Sequence, residues 1–129
     1  ILLEKLAIFD DELDKRNQAA AYYTDNLHDS FIAPFVPEDY ISSWAQYSIL
    51  AGTQEHRDDI IIKLKEQNIP AMIYYRIPLH LQKVFEDLDY AYGAFPVSED
   101  TANHIFSIPM HPYITRETQD KILSVLAIA

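Results

Sequence analysis

A chain of 129 residues is long enough for one domain with a real core and too short for two ordinary ones. Its 49% apolar and 23% charged residues fit a folded globular protein and exclude a disordered or collagen-like chain. A net charge of −10 runs against nucleic-acid binding, which draws on a basic surplus to replace the counterions on phosphates.

Residues 1–27 read as one long helix. Leu2, Leu3, Leu6, Phe9, Leu13, Ala20, Tyr23 and Leu27 recur near helical spacing, and no glycine or proline interrupts them. At about 1.5 Å per residue such a helix runs roughly 40 Å, longer than a domain of this size is wide, so it is expected to bridge to something else. The opening Ile1-Leu2-Leu3 stands inside the pattern with no initiator methionine and no cap, which reads as a truncated or processed fragment. The acidic run Asp10, Asp11, Glu12 and Asp14 reads as a solvated face.

Residues 28–43, with Pro34 and Pro37, read as an irregular connection. Trp44 to Leu50 alternates large apolar with small or polar residues, as a half-buried strand does. Thr53 can cap a helix through Gln67 that turns Ile60, Ile61 and Leu64 inward; Asn68 then suits a left-handed stop and Pro70 prevents continuation. Ala71 to Ile77 is rich in strand formers and predicts a second strand. Pro78 opens a short helix over residues 79–85, and Tyr90 to Pro96 reads as a loop. Ser98 is the expected cap of a helix over 99–105. Phe106 to Met110 predicts a short strand whose Pro109 argues for a sheet edge, and Thr115 caps a last helix with Ile122, Val125 and Leu126 inside. The expected fold class is α+β: a long N-terminal helix followed by a small, mostly antiparallel sheet with helices packed on one face.

Few residues invite a chemical role. Two glycines leave no glycine-rich phosphate loop, and the absence of cysteine removes disulfides, thiolate metal sites and cysteine nucleophiles. No two of the five histidines stand at the i, i+4 spacing of a helical metal site, and no serine has a G-x-S-x-G context, so neither a metal centre nor serine hydrolysis is expected. His56 and His104 read as surface residues and His111 as structural. No apolar stretch reaches the about 18 residues of a membrane span, and the N-terminus lacks the pattern of a secretory signal, so a cytoplasmic protein is expected. The richest stretch is Tyr74-Tyr75-Arg76-Ile77-Pro78-Leu79-His80-Leu81-Gln82, in which proline stiffens a turn carrying phenols, a guanidinium, an imidazole and an amide.

Several stretches, in order and across nearly the whole chain, resemble the DegT/DnrJ/StrS family of sugar aminotransferases. They are Arg16 to Tyr23 with Leu27, Ser43 to Ile49, Arg57 with Leu64 and Asn68-Ile69-Pro70, Tyr75 to Gln82, and Ile105 to Pro112 with Thr115 and Gln119 beyond. The resemblance covers the last third of such an enzyme. It implies an interdomain helix over residues 1–27 and a C-terminal small domain over 28–129, with the large domain that binds pyridoxal 5′-phosphate lying outside this sequence.

The resemblance further implies transfer of an amino group, with glutamate as donor, to a keto nucleotide-sugar, by a cytoplasmic homodimer. The cofactor needs a lysine that bonds to its aldehyde and an acid beside its pyridine nitrogen, and in this family both come from the large domain. None of Lys5, Lys15, Lys63, Lys65, Lys83 and Lys121 matches the lysine motif, so no catalytic, cofactor-binding or metal-binding residue is expected here. Tyr75, His80 and Gln82 match the segment that approaches the sugar and are the expected substrate-binding residues. Tyr74 replaces a frequent histidine and Arg76 a frequent proline, and Arg76 could favour an acidic group on the sugar; Asn68 replaces a frequent glycine. The alternative is a stand-alone, non-catalytic binding or regulatory module of the same fold.

Overall fold

The computed structural model describes residues 2–128. The N-terminal helical stretch is two helices, α1 (Leu2–Ala7) and α2 (Phe9–Asn26), separated at Ile8 with φ −111° and ψ 7°. The single long helix expected from the apolar spacing is therefore corrected. Asp10, Asp11 and Glu12 occupy the first turn of α2, where the positive end of the peptide dipoles favours carboxylates, so the acidic run marks a new helix start. Lys5 spans the break with a 2.7 Å ion pair to Glu12. Only the C-terminal half of α2 packs inward, through Ala19, Ala20 and Tyr23, while Leu2, Leu3, Leu6 and Phe9 stay exposed.

Beyond α2 come β1 (Phe31–Ile32), β2 (Tyr47–Ala51), α3 (Gln54–Glu66), two 3₁₀ turns (Leu79–Leu81 and Lys83–Leu88), α4 (Pro96–His104), β3 (Ile105–Ile108) and α5 (Arg116–Leu126). The strands form one antiparallel sheet in the order β1-β2-β3, with Phe31 opposite Ala51, Tyr47 opposite Ile108 and Ile49 opposite Phe106. Alternation turns Tyr47, Ile49, Ala51, Phe106 and Ile108 to one face, where they meet Ile60 and Leu64 of α3, Ile122 and Leu126 of α5, and Tyr23 of α2. On the other face the hydroxyls of Ser48 and Ser107 bond at 2.7 Å. This is the expected α+β class.

The helix ends predicted from local chemistry are in place. Thr53 accepts the His56 N–H at 3.1 Å, Thr115 accepts that of Thr118 at 3.2 Å, and Asn68 takes a left-handed φ of 57°. Two strand expectations and one connection are corrected. Ala71–Ile77 contributes only one bridge, Met72 with Ser107, because the chain leaves the sheet at the Tyr74–Tyr75 turn before a second pair can form. The strand expected from Trp44 begins at Tyr47, since Trp44 has a φ of 47° that no strand accommodates. The two-residue β1 inside the expected irregular connection lay below the length at which alternation is readable. The helix expected over 99–105 behind Ser98 starts less than one turn earlier, at Pro96, whose fixed φ and missing N–H suit a first helical position.

Polar groups in the core are tied down. The Tyr23 hydroxyl donates to the Pro109 carbonyl at 3.0 Å, and that of Tyr47 pairs with Thr24 at 2.7 Å. Burial pushes the Tyr23 phenol well above its ordinary pKa. The Gln119 amide on α5 donates to Ala19 on α2 at 2.9 Å. Arg57 on α3 is 2% exposed and donates to the Ala102 carbonyl on α4 at 2.9 Å, which fixes α4 against the helical layer.

Candidate functional site

The richest polar stretch of the sequence forms one wall of an open surface cleft. Met72 and Ser107 exchange two backbone bonds, at 3.1 and 2.7 Å, and anchor the start of this wall to β3. The chain then turns at Tyr74–Tyr75 and runs to Pro78, where φ of −54° sets up the 3₁₀ turn Leu79–Leu81. Opposite stands the N-terminal half of α4. Between them lies a cleft of about 410 Å³ whose lining includes Tyr74, Tyr75, Pro78, His80, Phe95 and Thr101. The walls are mostly carbon with a few polar groups, the usual composition of a small-molecule site.

Tyr75 is 66% exposed at this cleft, its ring edge-on to Tyr74 at 5.7 Å. His80 is the opposite case: its side chain is 8% exposed, its ring packs on Phe95 at 4.8 Å, and Nε2 lies 2.9 Å from Oε1 of Glu99. Gln82 lies round the turn. Its amide donates to the Ile77 carbonyl at 3.1 Å, and it lines a second hollow with Lys83, Glu86 and Asp89. The structure thus brings Tyr75 and His80 together and gives Gln82 the job of closing the turn between them. Arg76 does not line the cleft; its guanidinium sits 3.6 Å from Asp58 on α3.

Glu99 is the residue that sequence reasoning missed. It is buried on α4, accepts the Gly93 N–H at 2.9 and 2.8 Å and the Phe95 N–H at 3.2 Å, and binds His80. Placing the helix start behind Ser98 left Glu99 as an ordinary first-turn acid. With the start at Pro96, it points back over Phe95 and Gly93 and inward to His80. An acid in the first turn shortly after a glycine was the available signal.

Burial alone would raise the Glu99 carboxyl, but the bonds from Gly93, Phe95 and His80 outweigh it and hold its pKa below the usual range. A depressed carboxyl stabilises the fold above its unfolded value, about 4.3, and that contribution is lost as pH falls through the lower folded value. Acidification below about pH 4 should therefore release the Gly93 and Phe95 amides, while core amides such as Ile49 stay protected. Hydrogen exchange corrected for intrinsic rates measures this; equal loosening everywhere would argue against it.

The other histidines serve local structure. His104, expected at the surface, is half-buried and its Nδ1 donates to the Ala51 carbonyl at 2.9 Å. His56, also expected at the surface, is half-buried with its ring stacked on Phe31 at 4.9 Å. The His111 Nδ1 accepts the Tyr113 N–H. Among the described residues no three His, Cys, Asp or Glu side chains converge to hold a metal, and no helix is long and apolar enough to cross a membrane. Lys5 and Lys15 pair with Glu12 and Asp11, Lys63 and Lys121 reach the Ile128 and Gln67 carbonyls, Lys83 lines the neighbouring hollow, and among the described residues no lysine lines the cleft beside Tyr75. A covalent attachment for pyridoxal phosphate therefore does not fit the groups that line this cleft.

Known proteins share this fold and sequence. The sequence model of the DegT/DnrJ/EryC1/StrS aminotransferase family matches residues 1–127. A solved DegT DnrJ EryC1 StrS aminotransferase from Brucella abortus is 43% identical with a TM-score of 0.90, over 98% of this chain and 33% of that one. The dTDP-3-amino-3,6-dideoxy-alpha-D-galactopyranose transaminase of Aneurinibacillus thermoaerophilus is 31% identical over 98% of this chain and 34% of its own length. The UDP-2-acetamido-2-deoxy-3-oxo-D-glucuronate aminotransferase of Pseudomonas aeruginosa is 35% identical over 88% of this chain and 30% of its own length. The chain spans about a third of the length of the relatives it matches.

Proposed function

Because this chain belongs to the DegT/DnrJ/EryC1/StrS aminotransferase family, we propose that it is the small domain that covers the active site of a nucleotide-sugar aminotransferase. In this reading residues 1–27 join it to a large domain, residues 28–129 form the cover, and glutamate supplies the amino group to a keto sugar carried on a nucleoside diphosphate. The two curated relatives above are named for a 3-amino and a 3-oxo sugar, which supports amination at C3. The enzyme would act as a cytoplasmic homodimer.

The observation that carries the reading is the open cleft between the Tyr75–His80 turn and α4, with exposed Ile77, Leu79 and Val97 beside it. An apolar lining of this kind calls for a facing surface, and closing it would exclude water from a sugar held inside. The Tyr75 phenol can bond a sugar hydroxyl, and Phe95 offers a flat wall to the ring's C–H face. Pyridoxal phosphate, when bound to the rest of the enzyme, supplies the electron sink for the amino transfer. The residues of this chain hold and orient the sugar.

Two measurements test this. Pyridoxal phosphate added to this chain alone should keep the visible absorbance of the free cofactor; a new band abolished by substituting one of its lysines would refute the division of labour. In the full-length enzyme, Tyr75→Phe should raise KM for the keto sugar about tenfold, the worth of one good hydrogen bond, with the glutamate half-reaction unchanged. An unchanged KM would remove Tyr75 from the sugar site.

A further inference from the structure

The bond between His80 and Glu99 decides what the imidazole can offer a ligand. Glu99 is an ionised carboxylate at neutral pH and can only accept, so the hydrogen between Oε1 and Nε2 belongs to the ring. Its carboxylate is itself aimed by the Gly93 and Phe95 amides, and the Phe95 ring packs against the imidazole, so neither partner is free to swing. The other nitrogen, Nδ1, has no hydrogen-bond partner among the described residues, and His80 lines both the cleft beside Tyr75 and the neighbouring hollow beside Gln82. Such an arrangement, in which a partner on one nitrogen fixes the role of the other, is the ordinary way a protein sets a histidine tautomer.

We propose that Glu99 is a positioning residue that holds His80 as its Nε2–H tautomer, so that Nδ1 presents a lone pair to the cleft and accepts a hydrogen bond from a hydroxyl or N–H group of the sugar. This rests on the reading that the cleft takes the sugar. It assigns the donor to the ligand: at this point the pocket selects a sugar bearing O–H or N–H and disfavours one bearing only an acceptor, which would leave two lone pairs facing each other.

The first test needs no cofactor and no turnover. Long-range proton–nitrogen correlation spectra of this chain at about pH 8, above the ordinary histidine range, should show His80 protonated at Nε2 alone. A proton on Nδ1, or on both nitrogens, overturns the proposal, and this holds without any variant that must fold. Glu99→Ala should then give a mixture of tautomers. Glu99→Gln, whose amide oxygen still accepts, should restore the wild-type pattern; a pattern unchanged in Glu99→Ala overturns the proposal.

The second test uses the full-length enzyme. Glu99→Ala should raise KM for the sugar about tenfold with kcat within about twofold, Glu99→Gln should recover most of that, and Glu99→Ala should add nothing to His80→Ala. A fastener with no role in orienting His80 would instead add its effect to that of His80→Ala, which overturns the proposal. An unchanged KM in His80→Ala refutes the placement of the sugar against His80, and it does so independently of the tautomer spectra.

Discussion

Replacing Phe106 by alanine should cost about 3–5 kcal/mol of folding stability, as full truncations of buried aromatic side chains do. Phe106 is fully buried on β3, opposite Ile49 in the register and edge-on to Phe31 at 5.9 Å. Its removal opens a cavity where sheet and helices meet, and the backbone around it is held by the β2–β3 ladder and has little room to collapse. A domain of this size has a total stability of roughly 5–15 kcal/mol, so the loss is a large share of it. Urea denaturation of the chain measures the effect, with Leu79→Ala as a control on an exposed position, expected within about 0.5 kcal/mol. A loss below about 1 kcal/mol for Phe106→Ala would mean that the core does not lie on this face of the sheet. The effect also reaches the cleft, because the neighbouring Ser107 carries both backbone bonds to Met72 that anchor the Tyr75–His80 wall.

What could be read from the sequence is what local chemistry decides. The hydroxyl of Thr53, the left-handed Asn68 and the following Pro70 fix α3 within a few residues of each other, and no distant partner is needed. Thr115 does the same for α5. Strands fared worse for the converse reason. Met72, Ile73, Tyr74 and Tyr75 have the composition of a strand, yet a strand exists only where a neighbour offers its backbone, and β3 offers it to Met72 alone. The break at Ile8 follows from charge placement, which the apolar period does not register.

The site divides along the same line. Proline and polar side chains mark Tyr74 to Gln82 as a rigid turn within one contiguous stretch, and the family resemblance singles out Tyr75, His80 and Gln82 in it. Glu99 could not be picked in this way, since its role depends on the chain returning from residue 80 to residue 99 and on a helix start at Pro96. Gln82 shows the limit of the motif from the other side. It belongs to the turn by sequence, and its amide is used to close that turn onto Ile77.

The helix that carries Glu99 is itself held by Arg57, and removing that side chain should cost about 2–3 kcal/mol. Arg57 contributes one bond to the Ala102 carbonyl at 2.9 Å and two contacts to Asp58 Oδ1, at 3.0 and 2.9 Å. Losing one partner of a buried ion pair typically costs 3–5 kcal/mol. The lower figure applies here because Asp58 is half-exposed and water can take over its carboxylate, which leaves the Ala102 carbonyl and the vacated volume as the main terms. Arg57→Met separates these two, since it keeps most of the stem's packing and removes every donor. If the guanidinium bonds dominate, Met and Ala lose equally in urea denaturation. If packing dominates, Met recovers most of the loss. In either case α4 loses its tie to α3, so protection of the Gly93 and Phe95 amides should fall with it. Losses below about 0.5 kcal/mol in both variants, with those amides unchanged, would show that α4 and the cleft wall it supports stand without Arg57.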